Sequence, residues 1–294
     1  MTLTNILSVD LEDWFHICGV EGRLPASHWD SLESRVEVNT RKILDLCRAH
    51  DITATFFILG YVADRHPRLI RAIVEQGHEI AVHGYAHQRV YRMTPAHFRK
   101  DLRKAIRAIT ALTGCGINGF RAPEWSIRDD SLWALDILLE EGFTYDSSMA
   151  PLPIIGNPNY PRVPHQRQLA AGPLWELPPL VAPTLVGNLP IGGGWGLRVL
   201  PYRLIRNTIK ALNAQGHPAV IFLHPREFDR NNPRVALPLE KRFVLEARIE
   251  RTGTRLARLL QDFRFSSAAH FLDRTRKSAA THPGCHRTVA NTVP

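Results

Sequence analysis

The chain has 294 residues, enough for one large α/β domain or two ordinary ones. Its hydrophobic content of 44% and charged content of 22% exclude a disordered or low-complexity polymer. The formal charge of +9 suits anionic polymers or membrane surfaces, but it is spread thinly over segments such as Arg99–Arg107 and Arg242–Arg258. With no zinc finger, RNP-type or glycine-rich phosphate motif beside it, nucleic acid is not an expected partner.

In chain order, Asn5–Leu11 reads as a buried strand and Val36–Ala49 as an amphipathic helix. Ala54–Leu59 (ATFFIL) is a second buried strand, followed by a helix near Pro67–Gln76 that Gly77 stops. Glu79–Val82 is a short strand. Thr94 is placed to cap a long helix that begins with Pro95 and runs to about Thr113. Gly119–Arg121 reads as a strand end, Asp129–Glu141 as a helix, Val220–Leu223 as a late buried strand and Leu239–Leu260 as one long helix. Buried strands alternating with helices predict a parallel sheet, and their repetition favours a barrel.

The stretch at about 151–201 differs, being rich in Pro and Gly (PLPIIGNPNYPRVP, then LPIGGGWG). It reads as long loops and short strands inserted before the final strand. The domain is expected to span 1–276, including this insertion and a helical extension at about 226–276, with 277–294 as a dangling tail. No apolar run approaches the ~18 residues of a membrane span, and the first residues reach acids too early for a signal peptide. A cytoplasmic location, at most peripheral to the membrane, is the expectation. Cys18, Cys47, Cys115 and Cys285 are scattered without CxxC spacing, so neither a disulfide nor a zinc–thiolate site is expected.

Three polar clusters fall at the carboxyl ends of expected strands, where an α/β barrel builds its site. They are Asp10, Glu12 and Asp13 of DLED, His83 and His87 of HGYAH, and His224 of IFLHP. Two imidazoles four residues apart can face one ion if their segment forms a helical turn, and a carboxylate completes a two-His-one-carboxylate set. Each cluster alone has a plain structural reading: acids cap helices, and an HxxxH pair arises easily among 14 histidines. The three together point to metal.

SVDLED, HGYAH, FRAPEWS (Phe120–Ser126), TYDSSMAP (Thr144–Pro151) and IFLHP (Ile221–Pro225) occur in the order and spacing of the polysaccharide deacetylases. The chain resembles this family, carbohydrate esterase family four with its NodB homology domain, over roughly residues 5–225. Its remainder is similar to the branch found in exopolysaccharide loci associated with PEP-CTERM sorting. The resemblance implies a distorted, incomplete (β/α)7-type barrel and hydrolysis of N-acetyl groups on a polysaccharide or its precursor. It implies one divalent metal, zinc before cobalt, nickel or iron.

By the same resemblance Asp10 is the general base, His83 and His87 the metal-binding pair, His224 the general acid and Arg121 the partner that orients the base. Asp146 takes the place of a carboxylate that supports the acid histidine. Two positions depart from the family pattern. Leu11 follows Asp10 where a second aspartate is usual, so the acidic ligand is Glu12 or Asp13. Strand alternation favours Glu12, because residues i and i+2 share a face. Glu124-Trp125-Ser126 stand where the arginine segment usually ends in glycine. A related hydrolase of small non-sugar amides or ureides is the enzymatic alternative. An inactive polysaccharide-binding module is the other, although every catalytic position holds a competent residue. Trp14, Phe15, Tyr85, Trp125, Trp175 and Trp195 are candidate sugar platforms, with core or loop packing the plainer role for each. Gly192-Gly193-Gly194 reads as a tight turn.

Overall fold

The structure is a computed structural model and describes residues 3–17, 20, 23–153 and 155–281. Strand β1 (Thr4–Leu11) is buried along almost its whole length, as are β2 (Thr55–Ile58) and β3 (Glu79–Val82). Near-continuous apolar runs of this kind belong to strands covered on both faces. Helix α1 (Val36–Ala49) connects β1 to β2, and α2 (Gly60–Arg65) with α3 (Pro67–Glu75) connects β2 to β3. The long α4 (Pro95–Thr113) leads to the two-residue β4 (Gly119–Phe120), and α5 (Trp133–Glu140) to β5 (Tyr145–Asp146). Thr94 caps α4 as expected, accepting from His97 N at 3.2 Å, and Gly114 ends it with φ +63°.

The insertion then forms two hairpins, β6 (His165–Leu169) with β7 (Gly172–Glu176), and β8 (Val181–Thr184) with β9 (Gly187–Pro190). Helices α6 (Gly194–Val199) and α7 (Tyr202–Ala214) precede β10 (Val220–Leu223). After it come α8 (Leu239–Glu246), α9 (Thr252–Asp262), β11 (Arg264–Ser266) and α10 (Ala268–Thr281).

The main sheet runs β10-β1-β2-β3-β4-β5-β7-β6, with β11 on the amino end of β1. Among the described residues, seven strands on that path lie parallel, and only β6 pairs antiparallel, on β7. The ladder does not close into a barrel. The outer edge of β10 is met by two backbone bonds, Leu180 N to Val220 O (3.0 Å) and Phe222 N to Gly192 O (2.9 Å). The expected incomplete seven-stranded arrangement is what the chain adopts.

Gly192 and Gly193 belong to this seam rather than to a free tight turn. A Cβ on Gly193 would lie 2.1 Å from Phe222 O, and one on Gly192 2.9 Å from Leu180 N. Only a bare backbone fits so close to the strand.

Other expectations need correction. The Leu239–Leu260 helix is broken into α8 and α9 by a segment in which Arg248 has φ +50°. The buried Arg198 guanidinium takes the last carbonyls of α8, Val244 O at 2.5 Å and Leu245 O at 3.0 Å, so they need no further turn of helix. The Asp129–Glu141 helix starts only at Trp133, because Ser131 Oγ ties back to Arg128 N and holds 128–131 in a turn. The 277–294 tail is helical in α10 through Thr281, and its remainder lies outside the described residues. Strands β5 and β11 and helix α7 were not anticipated. Cys47 is a buried free thiol and Cys115 an exposed one, while Cys18 and Cys285 fall outside the described residues.

Candidate metal centre and active site

Strand β1 delivers Asp10 and, one residue past its end, Glu12. Leu11 between them is fully buried in the core, and both carboxylates line a cavity of about 340 Å³ at the carboxyl end of the sheet. Alternation along the strand therefore puts the two acids on one side. Arg121, just past β4, meets Asp10 Oδ1 through Nη1 at 2.6 Å and also donates to Ser8 Oγ and Ser147 Oγ, each at 2.9 Å. Its guanidinium lies 4.1 Å from the Phe57 ring centre. The TYDSS stretch thus serves as scaffolding: Ser147 fixes Arg121, and Ser148 Oγ accepts from Ala122 N at 2.7 Å.

The HGYAH segment is not a helical turn. Gly84 (φ +75°) and His87 (φ +51°) both enter the left-handed region, and the loop is pinned rather than wound. The start of α2 donates to it, Gly60 N to Gly84 O (2.9 Å) and Tyr61 N to Tyr85 O (3.0 Å), while Asp101 of α4 accepts from Tyr85 N at 2.8 Å. Asp101 is a supporting residue that no sequence signal marked.

This loop brings the two imidazoles together, with ring centres 5.4 Å apart. His83 Nδ1 lies 2.8 Å from Arg121 O, which leaves Nε2 as its ligand atom. His87 Nε2 stands 2.6 Å from Glu12 Oε2. One ligand atom each from Glu12, His83 and His87 lies within 4.8 Å of the others, and all three residues are buried. Glu12 Oε2 accepts no aligned hydrogen bond despite His87 beside it, as donor atoms do when they face a common centre rather than one another. Burial works against the Glu12 anion, but His87, His224 and Arg226 outweigh it and hold the carboxyl well below its ordinary range. Burial pushes His83 down to about 4, keeping it a neutral ligand. Two neutral imidazoles and one carboxylate fit a divalent transition metal.

Asp13 is not part of this group. Its carboxylate accepts from Trp14 N (2.9 Å) and, across the chain, from Arg35 N (3.1 Å), Val36 N (3.3 Å) and the Ser34 hydroxyl. It caps α1, whose own N-cap residue, Arg35, supplies no side-chain bond. Asp13→Asn is therefore expected to cost about 1 kcal/mol of stability while metal content stays at wild-type stoichiometry. Calorimetry and elemental analysis of the same preparation read both, and loss of metal in this variant would return Asp13 to the ligand set.

On the other flank, His224 follows β10. Its Nε2 lies 3.8 Å from Asp10 Oδ2 and 3.6 Å from Glu12 Oε1, and its Nδ1 is 2.6 Å from Glu227 Oε1. Burial pulls this imidazole down, yet the Glu227 bond and the Glu12 charge prevail and raise it above its ordinary value. Burial likewise disfavours the Glu227 anion, but His224 and Arg198 hold it lowered, with Arg198 Nε 3.5 Å from Glu227 Oε2. The carboxylate supporting His224 is thus Glu227, three residues on, and not Asp146. The motif HPRE could have suggested it, since an acid at i+3 bonds back to the start of a turn.

Asp146 sits elsewhere, opposite Glu176 in the β5–β7 register and bonded to the Ser148 hydroxyl. Burial pushes Asp146 up to about 6, and burial together with the Asp146 charge pushes Glu176 well above the carboxylate range. Two buried carboxyls paired in register in this way would hold a proton between them. Because the folded state holds that proton more tightly than the unfolded chain, its stabilising share is complete below pH ~4 and is lost as pH rises towards and beyond 6. Glu176→Gln is expected to flatten the fall of Tm between pH 5 and pH 8 by on the order of 5 °C. Parallel pH–Tm curves for the two proteins would refute the shared proton.

Of the candidate aromatic platforms, Trp125 and Trp195 line the cavity. Trp14 and Phe15 pack with Trp29 in a separate cluster, Tyr85 bonds Asp64 beneath Lys104, and Trp175 packs edge-on against Phe271. Glu124 (φ +52°) and Trp125 (φ +49°) are both left-handed, at the positions where glycine was the expected residue. This strained pair aims the Trp125 ring at Phe222, with centres 4.4 Å apart, and Glu124 at Arg89. His16 also lines the cavity, unmarked by any motif. It is buried and held neutral by burial and by His87, with Nδ1 accepting from Asp13 N at 2.9 Å.

Comparison with known proteins agrees with this geometry. A family model described as polysaccharide deacetylase matches residues 26–140, spanning the HGYAH loop and Arg121. Residues 26–140 thus match the polysaccharide deacetylase family. A second family model, described as a domain of unknown function (DUF3473), matches 147–273 and so covers His224 and Glu227. The peptidoglycan deacetylase of Helicobacter pylori is 32% identical over 113 residues, 38% of this chain and 38% of its own length. The peptidoglycan-N-acetylglucosamine deacetylase of Bacillus cereus is 32% identical over 98 residues, 33% of this chain and 36% of its own. The chain thus spans little more than a third of the length of these relatives.

Among solved structures, a Mycobacterium smegmatis protein assigned to the polysaccharide deacetylases superposes with a TM-score of 0.63. It is 21% identical, with 100% of this chain and 99% of that one covered. The Puue allantoinase superposes with a TM-score of 0.61 at 22% identity, covering 95% and 91%. Both share the fold of this chain.

Proposed function

We propose that the protein is a metal-dependent N-deacetylase that hydrolyses acetamido groups on an N-acetylated polysaccharide or its lipid-linked precursor. The observation that carries this reading is the Glu12–His83–His87 group flanked by the Asp10–Arg121 pair and the His224–Glu227 pair. Relatives named as peptidoglycan and chitooligosaccharide deacetylases support the substrate class. A divalent ion held by Glu12, His83 and His87, zinc before cobalt, nickel or iron, would supply Lewis acidity to the acyl carbonyl and acidify water.

The protein's own groups do the rest. Arg121 fixes Asp10 so that its free oxygen faces the cavity and takes a proton from the attacking water. Glu227 keeps His224 protonated, ready to hand that proton to the departing nitrogen as the C–N bond breaks. Trp125 and Trp195 offer faces for a sugar ring. Action in the cytoplasm, peripheral to the membrane, belongs to the same reading, and no helix among the described residues is long and apolar enough to cross a membrane.

Acetate release from N-acetylglucosamine oligomers tests the proposal. Activity that chelator abolishes and added metal restores is the expected result, and an inert holoenzyme on every acetylated glycan tried would overturn it. The Asp10-Leu11-Glu12 spacing and the apolar cavity wall of Leu152, Ile155, Leu180 and Val181 favour a second reading, hydrolysis of a small non-sugar amide or ureide. A panel of such amides run beside the oligomers separates the two.

A further inference from the structure

From Leu177 to Leu197 the chain carries no charged residue. This stretch contains the β8–β9 hairpin, whose tip presents Leu185 (107% exposed) and Val186 (93% exposed) entirely to the outside. The base of the same hairpin, Val181 and Pro190, forms one wall of the catalytic cavity. Helix α8 forms another through Val244 and Leu245, and it too exposes apolar side chains, Leu239 at 72% and Phe243 at 50%. Leu239 and Phe243 stand one helical turn apart, on one face. The two elements are linked by Trp195, at the end of the uncharged stretch, whose ring lies 5.9 Å from that of Phe243. An apolar rim therefore follows the cavity mouth on two sides.

Cations outnumber acids on the α8 side of that rim. Between Arg226 and Arg258 the chain has nine Arg and Lys residues against five acids, with Arg230, Arg234, Arg242 and Arg248 exposed and Glu240, Glu246 and Glu250 exposed among them. Isolated exposed aliphatics are unremarkable on any protein. Here two adjacent, fully exposed residues tip a hairpin and two more apolar residues stand out from α8, a helix with a net positive neighbourhood, beside the entrance to a site. That combination matches the interfacial layer of an anionic bilayer, where apolar tips enter the acyl boundary and arginines meet phosphate headgroups.

We propose that the β8–β9 tip and the outer face of α8 dock the protein on an anionic membrane surface, so that the cavity opens towards a substrate presented from the bilayer. The inference rests on the membrane-peripheral part of the proposed function, but its test does not depend on catalysis, since Leu185, Val186 and Leu239 do not line the cavity. Flotation of the full chain with vesicles of phosphatidylglycerol and phosphatidylcholine, against phosphatidylcholine alone, is the test. The wild-type protein should float with the anionic vesicles, less so in high salt. The double variant Leu185→Ser/Val186→Ser and the single variant Leu239→Ser should each lose at least tenfold in partitioning while releasing acetate from soluble oligomers at the wild-type rate.

Failure of the wild-type protein to float, or equal flotation of all three proteins, would overturn the proposal. So would sedimentation showing that the rim pairs two copies of the chain, with the double variant monomeric and no vesicle binding. A protein that floats as described but hydrolyses nothing would leave the docking surface standing and refute only the catalytic reading.

Discussion

Asp10→Asn and His224→Ala are each expected to lower acetate release by about 10²–10⁴-fold, the span a positioned base or acid contributes. The two losses should not look alike in other measurements. Asp10 partners Arg121, a guanidinium only 1% exposed, so Asp10→Asn leaves a buried cation with a weaker neighbour and should also lower Tm. His224 is held by Glu227, which retains Arg198 when the imidazole is gone, so His224→Ala should unfold close to the wild-type temperature. If His224 serves the leaving nitrogen as proposed, its loss should be smaller on substrates whose leaving group needs no proton, such as an activated aryl acetate. Asp10→Asn should be equally damaging on both. Full activity of either variant on an N-acetylated oligomer would remove the base–acid assignment.

Glu12→Gln and His87→Ala carry the second large effect, expected first in metal content. Removing one of three protein ligands should drop bound metal far below one per chain after gel filtration, with activity falling at least 10²-fold. Excess metal in the assay should restore part of it. Glu12→Gln should also weaken the 2.6 Å charge contact with His87. A stoichiometric metal complement in Glu12→Gln would show that the ion is held by other groups.

Much of this site was legible in the chain because its parts are local. Asp10, His83, Arg121 and His224 each sit at or just beyond the carboxyl end of a strand that apolar runs announce, and parallel α/β topology brings such ends together whatever the loops do. What failed to show was pairing between distant side chains. Asp13 and Glu12 are neighbours with the same chemistry, and only the position of α1, with its unsatisfied Arg35 and Val36 amides, decides that one is a cap.

Likewise, Asp146 was favoured to support His224 by resemblance, whereas the fold gives it Glu176 and leaves His224 to Glu227. The histidine loop was wrong in conformation but right in outcome. Left-handed Gly84 and His87, in a loop pinned by Asp101, bring the ring centres to 5.4 Å. The break between α8 and α9 lay hidden for a similar reason, since Arg198, some 46 residues upstream of Val244, satisfies the carbonyls at which the helix stops.

The pairing of β1 with β10 bears on how the protein is made. Ile6–Val9 wait for Val220–Leu223, more than two hundred residues later, before that edge of the first strand is covered. At a ribosomal pace of about 5–20 residues per second, the interval is on the order of 10–40 s. Through it a strand of Ile, Leu and Val stands open on a nascent chain, inviting a holdase or a neighbouring polypeptide. The proposed catalytic centre cannot assemble until residues 220–227 have been made, so a product truncated before them should be both sticky and inert.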